Sequence, residues 1–106
     1  MFKLEIFCQP NQKEQVLNTL HQHGVDRVGN YDHCWAISMV EGSHRALDDA
    51  KPVFGASGLV ESYPLVKVEI TINQPLIPPL MSDLKQRLGW EEPMINIFKI
   101  HNHFFK

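Results

Sequence analysis

Two stretches of strict alternation constrain the fold of this chain more than any other feature. Val66, Val68, Ile70 and Ile72 alternate with Lys67, Glu69, Thr71 and Asn73, and Phe2, Leu4, Ile6 and Cys8 alternate with Lys3, Glu5 and Phe7. A period of two sends successive side chains to opposite faces, so both runs predict half-buried strands, Phe2–Cys8 and Leu59–Asn73. Phe7 stands among the polar set. An aromatic there predicts that the second face is partly covered, for which a partner subunit is one candidate. Pro64 is expected to interrupt or bulge the early part of its strand, because proline cannot donate to a ladder.

Between these runs the period changes. Pro10 suits a first helical turn, and Val16, Leu17 and Leu20 follow at helical spacing until Gly24. Gln12, Lys13, Gln15, Asn18 and Gln22 form the solvated side of that helix. His21 and His23 fall near its end, where partial negative charge favours a cation, and they read as helix-end histidines without further function. Cys34 to Val40 is dense in β-formers and predicts a second, buried strand. Residues 41–58, with Gly42, Pro52, Gly55 and Gly58, predict a long excursion. Leu80, Met81, Leu84 and Leu88 give a second helix with Pro78 and Pro79 in its first turn and Gly89 at its end. Met94 to Ile100 gives the last strand.

The order βαββαβ in 106 residues predicts one domain spanning 1–106. With right-handed crossovers it makes an α+β, ferredoxin-like plait: a four-stranded antiparallel sheet with two helices on one face. The other face needs cover, and Phe7, Phe98, Phe104 and Phe105 are candidates to meet a second copy. A formal charge of -2 with scattered Lys and Arg predicts no nucleic-acid partner and no attraction to anionic membranes. The N-terminus lacks a signal-like apolar run, and no span is long enough for a membrane. Two cysteines are too few for a disulfide scaffold and point to the cytoplasm.

Chemically able groups concentrate in Val28–Trp35, which holds Tyr31, Asp32, His33 and Cys34. Cysteine with histidine and a carboxylate is a known nucleophilic set. In an extended chain, however, neighbours diverge, placing Tyr31 and His33 on one side and Asp32 and Cys34 on the other. Two readings stand beside catalysis. In one, Gly29 and Asn30 make a turn, Asp32 bonds nearby amides and Cys34 is core; in the other, the stretch contacts a ligand or metal.

The run Gly29-Asn30-Tyr31-Asp32-His33-Cys34 resembles the signature of the Nif-three-like, YqfO-type family, and specifically the plait domain inserted into its larger members. Glu41-Gly42, Arg45, Leu47, Pro52, Gly55, Gly58 and Glu61 resemble that domain's loop, Lys67-Val68-Glu69 its third strand, and Glu91-Glu92-Pro93 its paired-glutamate turn. Leu88-Gly89-Trp90 departs from the histidine-proline-tyrosine usual before the glutamates. The resemblance implies a fold like CutA and the PII signalling proteins, trimeric plaits with ligand sites between subunits. The halves that hold the family's two-metal centre are not in this sequence, so metal-dependent hydrolysis is not carried over.

The expected function is a non-catalytic small-ligand or metal-binding regulatory module, cytoplasmic and homo-oligomeric as a trimer or dimer. Its alternatives are a protein-interaction domain without a small ligand and, behind that, a metal-dependent hydrolase. Candidate ligand-binding residues are Tyr31, Asp32, His33, Cys34, Arg45, Glu91 and Glu92. For a divalent metal the candidates are His33, Glu92, His101 and His103; the last two share a side if the final strand continues. His44 with Arg45 can meet an anion, though no glycine-rich phosphate cradle is present.

Overall fold

The computed structural model describes residues 1–47, 58–90 and 94–101. Strand β1 (Phe2–Cys8) leads through a 3-10 turn (Pro10–Gln12) into helix α1 (Lys13–Gln22), followed by β2 (Ala36–Arg45) and β3 (Val60–Ile72). A second 3-10 turn (Gln74–Leu76) opens helix α2 (Ile77–Leu88), and β4 (Ile95–Lys99) closes the sheet. The strand order is β2-β3-β1-β4 with every neighbouring pair antiparallel, which is the plait expected from the pattern. Pro78 and Pro79 occupy the first turn of α2, and Gly89 ends it in the left-handed conformation, its N–H donating to the Lys85 carbonyl at 3.0 Å.

The alternation sorts the two faces of the sheet as expected. Leu4, Ile6, Val68 and Ile72 are buried against Val16 and Leu20 of α1 and Leu80 and Leu84 of α2. Cys8 joins this core, where burial pushes its thiol pKa up against the weaker opposing charge of Lys13. The helices are tied to one another by Asp83, which accepts from His23 Nε2 and from Arg87 Nε, each at 2.7 Å.

The opposite face carries a quartet of charges. Glu5 lies directly across from Glu69, a pairing of like charges that costs stability when left alone. Lys3 meets Glu69 at 2.6 Å, while Lys67 meets Glu69 at 3.2 Å and Glu5 at 3.6 Å, so the centre of this face is electrically balanced. The bond from Lys3 is the main reason the Glu69 carboxyl sits below its ordinary range, and the bond to Glu69 likewise raises Lys67. Phe7 and Phe98 stand on the same face beside the quartet, Phe98 well exposed. Phe104 and Phe105 lie outside the described residues.

Three expectations are corrected. First, β2 begins at Ala36 and runs to Arg45, so residues 41–45 are strand and not excursion. Second, β2 is an edge strand and most of it is exposed; Ile37 and Met39 point to the helix side, yet neither helix covers them. Third, the ladder passes Pro64 without a break, with Glu41 opposite it. The reason is positional. Pairing between β1 and β3 starts only at Cys8 and Val66, so at Pro64 the strand has a neighbour on one side alone, and a proline is tolerated where its nitrogen meets no partner.

Gly42 occupies a crowded point of that hairpin. A Cβ there would lie 2.5 Å from Leu65 Cδ1 and 3.1 Å from Tyr63 Cε2. Leu65 is buried and must swing to make room. Gly42→Ala is therefore expected to cost about 1–2 kcal/mol, read as a shift of the urea midpoint with unchanged slope.

Candidate functional site

Among the described residues, the connection from α1 to β2 is densely bonded, and Asp26 is its centre. Helix α1 stops at Gln22, Gly24 reverses the chain at φ 69°, and Val25 enters the core. This places Asp26 inside, at 1% exposure. A buried carboxylate needs donors. Its Oδ2 accepts the His21 Nδ1–H at 2.8 Å and the His33 backbone N–H at 2.9 Å, while its carbonyl accepts the Cys34 N–H at 3.0 Å. Asp26 thereby pins the start of β2 to the end of α1.

Between those anchors the chain makes a tight turn. Val28 and Tyr31 exchange backbone hydrogen bonds of 2.8 and 3.0 Å around Gly29, which takes φ 60°, and Asn30. Tyr31 sits at this turn, 77% exposed. His33 then adopts φ 56°, a left-handed conformation unusual for a residue with a Cβ. That single inversion defeats the alternation expected from an extended strand. Asp32 and His33, predicted to diverge, meet with the His33 Nδ1–H donating to Asp32 Oδ1 at 2.9 Å. The His33 ring lies 4.8 Å from the His21 ring and 5.0 Å from Trp35, measured between centroids.

Cys34 is half-buried, and its thiol donates to the Asp32 carbonyl at 3.5 Å instead of to an imidazole. That bond does not activate a nucleophile. With Val28, Trp35 and Ala36, Cys34 forms one wall of an open groove of about 450 Å³, whose other wall comes from Lys3 and from Glu69 to Thr71. The connection thus has two working sides: an imidazole–carboxylate cluster toward α1, and a groove toward the sheet.

The electrostatics of the cluster have definite signs. Burial opposes ionisation of Asp26, but the bonds from His21, from the His33 amide and from its own amide, with the His21 charge, hold its pKa below the ordinary aspartate value. His21 is raised, first by its hydrogen bond to Asp26 and then by that carboxylate's charge. Stabilisation from His21 is therefore full below about pH 6.5 and is lost as pH rises through the higher folded value. Stabilisation from Asp26 is present above about pH 3.9 and is lost as pH falls through its lower folded value. Thermal unfolding between about pH 6 and pH 8 is expected to show a decline that His21→Gln flattens.

Other residues singled out from sequence lie elsewhere. Arg45 ends β2, nine residues from Ala36, or about 30 Å along the strand. His44, beside it, bonds Tyr63 at 2.9 Å through Nδ1. His101 is exposed just past β4, across the sheet from the β2 edge by three strand spacings, about 14 Å. Glu91, Glu92 and His103 lie outside the described residues. Sequence reasoning passed over Asp26 and gave His21 no role. The available signal was a carboxylate two residues past the helix-ending Gly24, within reach of a histidine in the last turn.

No family model matches the chain. It is 28% identical over 105 residues to a GTP cyclohydrolase 1 type 2 homolog of Listeria innocua, covering 98% of this chain and 28% of that protein. To the homolog of Bacillus subtilis it is 28% identical over 98 residues, covering 92% and 26%. The chain thus spans little more than a quarter of the curated relatives it matches. Among solved structures, a Bacillus cereus protein related to NIF3 superposes with TM-score 0.77 at 23% identity, over 95% of this chain and 26% of that one. CPII, a nitrogen regulatory PII-like protein of Thiomonas intermedia solved with ADP, AMP and bicarbonate, gives 0.67 at 18%, over 99% and 94%. The divalent cation tolerance protein CutA of Archaeoglobus fulgidus gives 0.68 at 12%, over 98% and 88%. No helix among the described residues is long and apolar enough to cross a membrane. Over nearly its whole length the chain resembles one quarter-length segment of the Nif3-related GTP cyclohydrolase 1 type 2 homologs, folded as a PII- and CutA-like plait.

Proposed function

We propose that this chain is a non-catalytic binding and regulatory module, a cytoplasmic homo-oligomer that takes a small ligand or a metal at the Asp26–Ala36 connection. One observation carries the reading: Cys34, the signature's one nucleophilic candidate, bonds a backbone carbonyl and, with Val28, Trp35 and Ala36 beside it, lines a groove. Lys3 and Glu69 offer that groove a paired cation and anion, while Trp35 and Val28 offer apolar surface. This mixture suits a small amphipathic ligand carrying charge. The nucleotides and bicarbonate held by the Thiomonas PII-like protein are the first probes to try. The activity named for the relatives is not proposed here, because the chain spans 28% of the Listeria protein.

The test follows Trp35 fluorescence during titration with ATP, ADP, AMP and bicarbonate, in a Trp90→Phe background that removes the second tryptophan, together with sedimentation velocity. A saturable change that Trp35→Phe abolishes, in a sedimenting oligomer, is expected. A monomer at micromolar concentration whose Trp35 ignores every probe overturns the reading.

A protein-interaction domain without a small ligand is the second reading, favoured by the apolar residues left exposed on the β2–β3 hairpin and at its ends. Ile37, Met39, Leu59 and Val60 are all exposed there. It is selected if Met39→Glu with Val60→Glu dissolves an assembly whose groove answers none of the probes.

A further inference from the structure

We infer that His21, Asp26 and His33 form a binding site for a single first-row divalent transition metal, of the zinc, cobalt or nickel class. The assignment deepens the binding-module reading by naming a ligand, and it uses the helix-facing side of the connection, not the groove. Neither His21 nor Asp26 was marked by the sequence as a ligand.

The geometry is close to what such an ion requires. One donor atom from each of the three residues lies within 4.8 Å of the others. Donors held about 2.1 Å from a tetrahedral ion sit about 3.4 Å apart, so closure needs movements of about 1 Å. The two imidazoles can supply them, because their side chains are 48% and 59% exposed. Asp26 need not move. It is buried, held ionised by its surroundings and fixed by the His33 amide, so it acts as the anchor toward which the rings close.

His33 is already oriented for ligation. Asp32 Oδ1 accepts the hydrogen bond from the His33 Nδ1–H, which leaves the lone pair on Nε2, the arrangement by which an outer carboxylate orients a metal-binding histidine. The left-handed backbone at His33 turns its ring toward His21 instead of along the strand, and Asn, unlike most residues, tolerates that conformation. Bound metal would take over the role that the His21 proton now plays against the buried carboxylate. Two imidazoles with one carboxylate favour zinc, cobalt and nickel over magnesium and calcium, which prefer oxygen-only sets. Three protein donors also leave at least one position for water or a further ligand.

The test uses the full untagged chain, stripped with chelator and dialysed. Titration with Co²⁺ is followed by visible absorption, and titration with Zn²⁺ and Ni²⁺ by calorimetry. About one ion per chain is expected, with a Co²⁺ band showing nitrogen ligation. His21→Gln and His33→Asn, each checked for native circular dichroism, should weaken binding at least tenfold, while His101→Ala leaves it unchanged. Absence of heat and of a Co²⁺ band overturns the site. So does binding that persists in both variants, or that His101→Ala removes. The nucleotide titrations are run on metal-free protein and the metal titrations without nucleotide, so failure of the metal site and failure of the groove are told apart.

Discussion

Asp26→Ala is expected to lower stability by about 2–4 kcal/mol, because it removes at once the acceptor of the His33 amide and the partner of the His21 ring. The carboxylate is 1% exposed and joins three parts of the chain: its own turn, the last turn of α1 through His21, and the entry to β2 through His33. Truncation also opens a void where the buried carboxylate stood. For a domain of this size the loss corresponds to a fall of roughly 10–20 °C in Tm. Asp26→Asn should cost less, about 1–2 kcal/mol, because an amide oxygen still accepts from His33 but no longer balances a protonated His21. Chemical unfolding of the three proteins decides the matter. An alanine variant within 0.5 kcal/mol of the parent would mean that the turn stands without its anchor.

The second large effect belongs to the core. Leu84 of α2 is fully buried in the layer between helices and sheet, and Leu84→Ala should cost about 2–5 kcal/mol through lost transfer energy and a cavity that fixed neighbours cannot fill. Met39→Ala provides the contrast. Met39 is equally apolar in sequence but 63% exposed on an edge strand, so its truncation should change stability by no more than about 0.5 kcal/mol. If assembly covers β2, the Met39 effect grows with protein concentration, which gives equilibrium unfolding at several concentrations a second use.

These two leucine-like positions also mark how far the sequence could be read. Strict alternation in Phe2–Cys8 and Val66–Asn73 located β1 and most of β3, because both faces of those strands have fixed and different neighbours. Proline and glycine bracketed both helices for reasons local to the backbone. Composition could not show that Ile37 and Met39 face the helix side beyond the reach of either helix, since that depends on β2 being last in the sheet. Nor could it show that Pro64 falls where β3 has lost one neighbour. Within the connection, the turn at Gly29-Asn30 was legible, but the left-handed His33 was not, and the pairing of Asp32 with His33 depends on it. Asp26 escaped notice because its partners, His21 and the His33 amide, stand five residues before it and seven after, and only the folded chain gathers them.

The one-sided ladder at Pro64 has a dynamic consequence. From Val66 to Glu69, β3 is flanked by strands on both sides, whereas Val60 to Leu65 pairs with β2 alone. A two-stranded ribbon is marginal in water and opens at far less free energy than the body it grows from. The amides of the outer ribbon therefore exchange with solvent through local fraying, and those of the inner sheet only when the whole domain unfolds. The chain carries two clocks on one strand, and a partner that grips the ribbon would slow the first while leaving the second unchanged.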